Sequence, residues 1–345
     1  MTRAVRFHQT GGPEVLQFDD VQVASPQSGE VQIRVKALGI NRAEVMYRTG
    51  KYVIDPQFPA KLGYEASGEV VAVGANVTGF ATGDLVSVIP AFSFAEYGMY
   101  GEVVNAPGHA VVKNPANVTH EEAAATWMMF VTAYGALINY GKLTSADTVI
   151  IGAATSSVGL AAIQVAKMVG AKTVALTRSA EKEGTLRACG ADHVLLSDMP
   201  DLTEYIVSVT GGKGARIVFD PVGGPNARNI LRAMSHGGIY YQYGALDSHD
   251  IPVPVMDILT KHLVLQGYEL FEITQDAQKL EQAKAFISEG LSSRALRPVI
   301  DRVFRFEEIA EAHRYMEAGN QVGKIVVTLS LPRDLPRSCR FHARP

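Results

Sequence analysis

Between residues 148 and 267 six short apolar runs alternate with mostly helix-like segments, and few architectures tolerate that order. The runs are TVIIG (148–152), KTVALT (172–177), HVLL (193–196), ARIVFD (215–220), GIYYQYG (238–244) and HLVLQG (262–267). Several are apolar at consecutive positions, so both faces of the strands must be covered. Strands of that kind with helices between them predict a doubly wound parallel sheet. The preceding residues have another texture. EVQIRVKALGI (30–40), SGEVVAVG (67–74), VTGFATGDLVSVIP (77–90) and YGEVVNAPGHAVVKNP (100–115) are rich in β-branched residues and bounded by Gly, Pro and Ser, which predicts a small barrel or folded sheet. One helix is expected over 119–141, with Thr119 as N-cap, Glu122 at capping-box spacing and Gly141 as its end. Helices over 275–290 and 306–318 and a strand over 323–329 follow.

At 345 residues the chain is long enough for two domains. Its net charge of −3, from 32 basic and 35 acidic residues, gives no reason to expect a nucleic-acid partner. No run approaches the roughly 18 apolar residues of a membrane span. The opening MTRAVRFHQTGG lacks the apolar core of a secretion signal, so a cytoplasmic location is expected. The two cysteines, Cys189 and Cys339, exclude a disulfide scaffold and a cysteine-rich zinc site. The nine histidines fall in no ligand-like cluster. Residues 331–345 have no periodicity and read as a disordered tail.

The first strand-to-helix turn of the alternating series, Gly152 to Gly159, is the place for a dinucleotide pyrophosphate. In the G-x-G-x-x-G pattern anchored at Gly159, Ala154 and Ser156 stand at the first two glycine positions. Small residues there still allow close approach, and the Ser156 and Ser157 hydroxyls can donate to phosphate; a plain turn with serine caps is the simpler alternative. An Asp or Glu about 20 residues beyond such a turn binds the ribose 2′-hydroxyl of NAD. Here Thr177 lies 18 residues past Gly159, with Arg178 beside it and Lys182 one turn on. Without the acid and with two cations, NADPH is expected over NADH.

Eight segments, in order, resemble the medium-chain dehydrogenase/reductase superfamily and its zinc-independent quinone oxidoreductase branch. They are GINRAEVMYRTGKY (39–52), LGYEASGEVVAVG (62–74), GDLV (83–86), EEAAATWMMFVTAYGAL (121–137), the 152–159 turn, FDPVGG (219–224), YGAL (243–246) and VGKIVVTL (322–329). The resemblance implies an α/β protein with a GroES-like β-rich catalytic domain (1–124 and 268–330), a Rossmann cofactor domain (125–267) and a cofactor cleft between them. Zinc alcohol dehydrogenases of the superfamily have Cys at the place of Asn41 and His at the place of Tyr64. Asn and Tyr are poor zinc ligands, so no catalytic metal is expected. The resemblance further puts Thr132, Tyr243, Gly244 and Ala245 along the nicotinamide, Val158, Gly159 and Lys324 at the pyrophosphate, and Lys182 at the 2′-phosphate.

Three residues are the catalytic candidates. Tyr52 matches the tyrosine assigned as proton donor in medium-chain enoyl thioester reductases; a phenol of pKa ~10 can protonate an enolate. Asn41 is expected to approach the nicotinamide or the substrate carbonyl, and Tyr64 to border the site. Met46 stands where quinone oxidoreductases commonly carry another tyrosine, a place that Tyr47 could fill. Trp127 and Met128–Met129 read as helix core. The function expected is hydride transfer from NADPH to small electrophiles, namely quinones or α,β-unsaturated carbonyl compounds. An enoyl thioester reductase and a non-catalytic NADPH-binding protein are the alternatives. The apolar stretch 251–270 ends the parallel series at a sheet edge, which leads to the expectation of a homodimer.

Overall fold

The computed structural model describes residues 1–329; the tail read from 331–345 lies outside the described residues. The six apolar runs form one sheet in the order 193–196, 172–177, 148–151, 215–220, 234–242, 264–267, every pair parallel. That is the doubly wound order, with its switch point between Thr148–Ile151 and Ala215–Asp220. Alternate residues of these strands enter different cores. Val149, Ile151 and Phe219 join the large apolar cluster that continues into the β-rich half, whereas Ile150, Val174 and Val218 join a second cluster on the opposite face. Burial on both faces is why the runs carry no polar alternation.

The β-rich half forms a seven-stranded sheet whose long strand, Glu30–Ile40, is flanked by Glu65–Val73 and by the last strand, Lys324–Thr328. A three-stranded antiparallel sheet, with Thr2–Phe7 at its centre, lies beside it. Two boundaries depart from expectation. The fifth strand of the parallel sheet starts at Met234, and the sixth starts at Val264, after His262 in a left-handed conformation.

The helix expected over 119–141 is three pieces: His120–Ala124, Trp127–Tyr134 and a π-helical Gly135–Tyr140. Thr119 and Glu122 do form the capping box. The break at Ala125–Thr126 frees the Met128 N–H, which donates to the buried Glu65 carboxylate at 3.0 Å. A carboxylate from another strand thus replaces the carbonyl of a continuous helix, a substitution that local periodicity does not encode. Trp127 and Met129 are buried as expected. Among the described residues no helix is long and apolar enough to cross a membrane.

Candidate active site

The turn expected to hold the phosphates is built by close packing. Gly152 follows the first parallel strand, and a Cβ there would stand 1.9 Å from Asp220 Oδ1. Asp220, in turn, accepts the Val222 and Gly223 N–H groups at 3.0 Å each and the Tyr240 hydroxyl, fixing the neighbouring strand end. A Cβ on Gly159 would come within 2.6 Å of Ala154 Cα, so only glycine lets the helix Ser157–Met168 seat against the turn. Ser156 is its N-cap, its Oγ accepting the Gly159 N–H at 3.0 Å. That satisfies one orphan donor of the helix and leaves the Ser156 hydroxyl proton available. The Tyr243 ring stacks on Phe219 at 4.0 Å, and its hydroxyl is buried facing Ser156 with no hydrogen-bond partner. An unpartnered phenol beside the first turn of a helix fits a ligand with phosphate or amide groups. Gly244 and Ala245 follow it, with the Gly244 carbonyl held by Gln242 Nε2 at 2.6 Å.

A segment of the β-rich half crosses this turn. The Gly323 N–H donates to the Thr155 carbonyl at 3.0 Å, and Lys182 Nζ donates to the Asn320 carbonyl at 3.3 Å. Gln321 Oε1, between them, is buried and unpartnered. Ser157 and Val158 are partly exposed at the helix start; Thr177 is buried, its hydroxyl accepting the Ser179 N–H at 3.2 Å, and Arg178 is exposed. Lys324, expected at the pyrophosphate, follows Gly323 directly. Its backbone adjoins the turn, but its ammonium is turned into the β-rich half, where it contacts Glu65 and the Asn41 side-chain oxygen.

Asn41 lies beside the Lys324 ammonium. It ends the strand Glu30–Ile40 and caps the helix Arg42–Arg48; its amide donates to Glu44 Oε1 at 3.1 Å and to the Gly39 carbonyl at 3.3 Å. With Lys324 on its oxygen and both amide hydrogens donated, the Asn41 side chain is held inside the protein. Glu44, which the sequence reading passed over, is fully buried. Its spacing from Asn41 is that of the Thr119–Glu122 box, and that was the available signal. Burial pushes its carboxyl up to about 7.

Above this group the Tyr52 and Tyr64 hydroxyls meet at 3.1 Å. Tyr64 is buried, stacked on Phe94 at 3.8 Å and edged by Phe92 and Phe271. Burial raises both phenols, Tyr64 well above the ordinary tyrosine range; the bond from Tyr64 acts the other way on Tyr52. Either hydroxyl can donate in this pair; Tyr52 is half-buried and Tyr64 fully buried, so burial penalises ionisation of Tyr64 the more. Tyr47 is buried between Phe7 and Phe94 and does not occupy the place of the exposed Met46. Thr132 donates to the Met128 carbonyl at 2.5 Å; since Met128 N–H holds Glu65, next to Tyr64, a short chain of contacts joins Thr132 to the tyrosine pair. Among the described residues no three His, Cys, Asp or Glu side chains gather as metal ligands. Asn41 and Tyr64, both engaged elsewhere, do not suit zinc.

The family described as alcohol dehydrogenase GroES-like domain matches residues 27–116, and that described as zinc-binding dehydrogenase matches 157–288. Human quinone oxidoreductase is 31% identical over 331 residues, covering 95% of this chain and 98% of that protein. Escherichia coli quinone oxidoreductase complexed with NADPH superposes with a TM-score of 0.84 at 28% identity, over 94% of this chain and 99% of that one. A structure described as an NAD-dependent alcohol dehydrogenase gives 0.86 at 32%, over 95% and 100%.

Proposed function

As this chain belongs to the medium-chain dehydrogenase/reductase superfamily, in its quinone oxidoreductase-like branch, we propose that it is an NADPH-dependent reductase of quinones or α,β-unsaturated carbonyl compounds. The observation that carries this reading is the hydroxyl pair of Tyr52 and Tyr64, a proton source in an aromatic surround without metal donors.

NADPH fits the packed turn, the start of the helix Ser157–Met168 and the unpartnered Tyr243 hydroxyl; Ser156, Ser157, Val158 and Gly159 would hold its pyrophosphate. Thr177, Arg178 and Lys182 would face the ribose 2′-phosphate, with no carboxylate at that strand end to repel it. Thr132, Tyr243, Gly244 and Ala245 would border the nicotinamide. Bound there, NADPH supplies a hydride, the two electrons of the reduction. Tyr52 supplies the proton that completes it, donating from Oη to the oxygen or carbon that the hydride leaves electron-rich. Tyr64 then donates to the Tyr52 oxygen and steadies the phenolate until water returns the proton. Phe92, Phe94 and Phe271 keep the surroundings of the pair apolar, which strengthens that bond.

A homodimer is part of the same proposal. It is supported by the edge strand Val264–Gly267, with Val264 and Leu265 exposed, and by the adjacent helix Val255–Lys261, whose Val255, Met256 and Leu259 are each more than 60% exposed.

The test follows absorbance loss of NADPH against matched panels of quinones, enones and enoyl thioesters, with NADH in parallel. Turnover of a quinone or enone with NADPH at least about tenfold preferred is the expected result. NADPH binding without turnover of any acceptor overturns the reading.

A further inference from the structure

We propose that Glu44 is a positioning residue of this site, which holds Asn41 and the Tyr64 main chain and through them sets the Tyr52–Tyr64 hydroxyl pair. The inference rests on the role given above to Tyr52.

In an ordinary capping box the N3 carboxylate reaches back to one backbone N–H and stays near solvent, as Glu122 does on Thr119. Glu44 does more. Its Oε2 accepts the Asn41 N–H, and its Oε1 accepts both the Asn41 side-chain amide and the Tyr64 N–H, each at 3.1 Å. One carboxylate thus ties together two residues that are 23 positions apart in the chain. Removing a carboxylate from water costs several times what capping a seven-residue helix returns, so capping alone does not account for its burial.

The rest of the cluster fixes the orientation. Lys324 contacts the Asn41 oxygen and Glu65, so the Asn41 amide is held from both ends and cannot turn over. Lys324, Glu65 and the phenols of Tyr52, Tyr64 and Tyr100 are the ionisable groups that face Glu44. Every hydrogen bond that Glu44 receives comes from a donor. Ionised, above about pH 7, Glu44 has only acceptors, whereas glutamine would turn an NH₂ against one of those donors at any pH. The Glu44→Gln variant therefore displaces either Asn41 or the Tyr64 peptide, and with the latter the 3.1 Å contact of the two hydroxyls.

The experiment is a double-mutant cycle of Glu44→Gln and Tyr52→Phe. It measures kcat with the best acceptor of the panel above and NADPH Kd by fluorescence titration. Each single variant is expected to lower kcat at least about tenfold with NADPH Kd changed less than about twofold, and the double variant to match Tyr52→Phe. Wild-type kcat in Glu44→Gln, or losses that multiply in the double variant, overturns the positioning role while leaving the role of Tyr52 standing. Wild-type kcat in Tyr52→Phe overturns the proton-donor reading itself, and the inference with it. If Glu44→Gln does not fold, Glu44→Asp keeps the charge and shortens the reach by one methylene. It is expected to bind NADPH normally and turn over more slowly than wild type, and wild-type kcat there overturns the inference.

Discussion

Two phenols in contact differ in acidity only because their surroundings differ, and Tyr64 is the more deeply buried of the two. Its hydrogen bond favours the ionised form of Tyr52, so its removal raises the Tyr52 pKa. The Tyr64→Phe variant is expected to lower kcat and move the alkaline limb of the pH–rate profile upward; an unmoved limb counts against the pairing. Glu44 and His313 make a second prediction, about stability. The Glu44 carboxyl is at about 7 when folded against 4.5 for the free side chain, so its favourable share is complete below 4.5 and lost as pH rises through 7. Buried His313 is pushed down to about 3 from 6.5, so its share is present above 6.5 and lost as pH falls. Between pH 7 and 5 the two oppose each other. Glu44→Gln removes the first, on the order of 2 kcal/mol over that range, and denaturant melts should show a steeper acid loss than in wild type. Tyr52, Tyr64 and Asn41 were readable as candidates from the segments 39–52 and 62–74, which carry the family resemblance. The bracing of Asn41 was not, because its partner Lys324 lies 283 residues away.

At the scale of elements, the parallel sheet was readable strand by strand, since two-sided burial leaves its mark on each run separately. The helix break at Ala125 was hidden because its cause, Glu65, belongs to another element. The phosphate turn lies between these cases. Its glycine pattern is thin, yet Gly159 and Gly152 remain where a Cβ has no room. Gly152→Ala would drive a methyl into Asp220 and disturb the turn that Asp220 holds. A fall in Tm of several degrees and an NADPH Kd raised by about tenfold or more are expected, read by thermal melts and fluorescence titration. Asp220 also explains why FDPVGG reads as a motif: its carboxylate is what closes the Val222–Gly223 turn.

At the scale of the whole molecule, the exposed apolar edge at Val264 and Leu265 predicts a particle of twice the chain mass in sedimentation. Leu265→Lys is expected to yield monomers that still bind NADPH, since the edge lies two strands from the switch point. A wild-type monomer at micromolar concentration would dismiss the dimer. The position of the final strand has a consequence for how the molecule is made. Lys324–Thr328 pairs between Ile300–Arg305 and Glu30–Ile40, and Gly323, just before it, clasps the phosphate turn at Thr155. On a ribosome the parallel sheet can assemble early, but the seven-stranded sheet stays open until residue 328 has emerged. The clasp over the phosphate turn is equally late. Chains that stop before residue 323 would carry a dinucleotide fold without its fastening, so a firmly held cofactor reports that the final strand is in place.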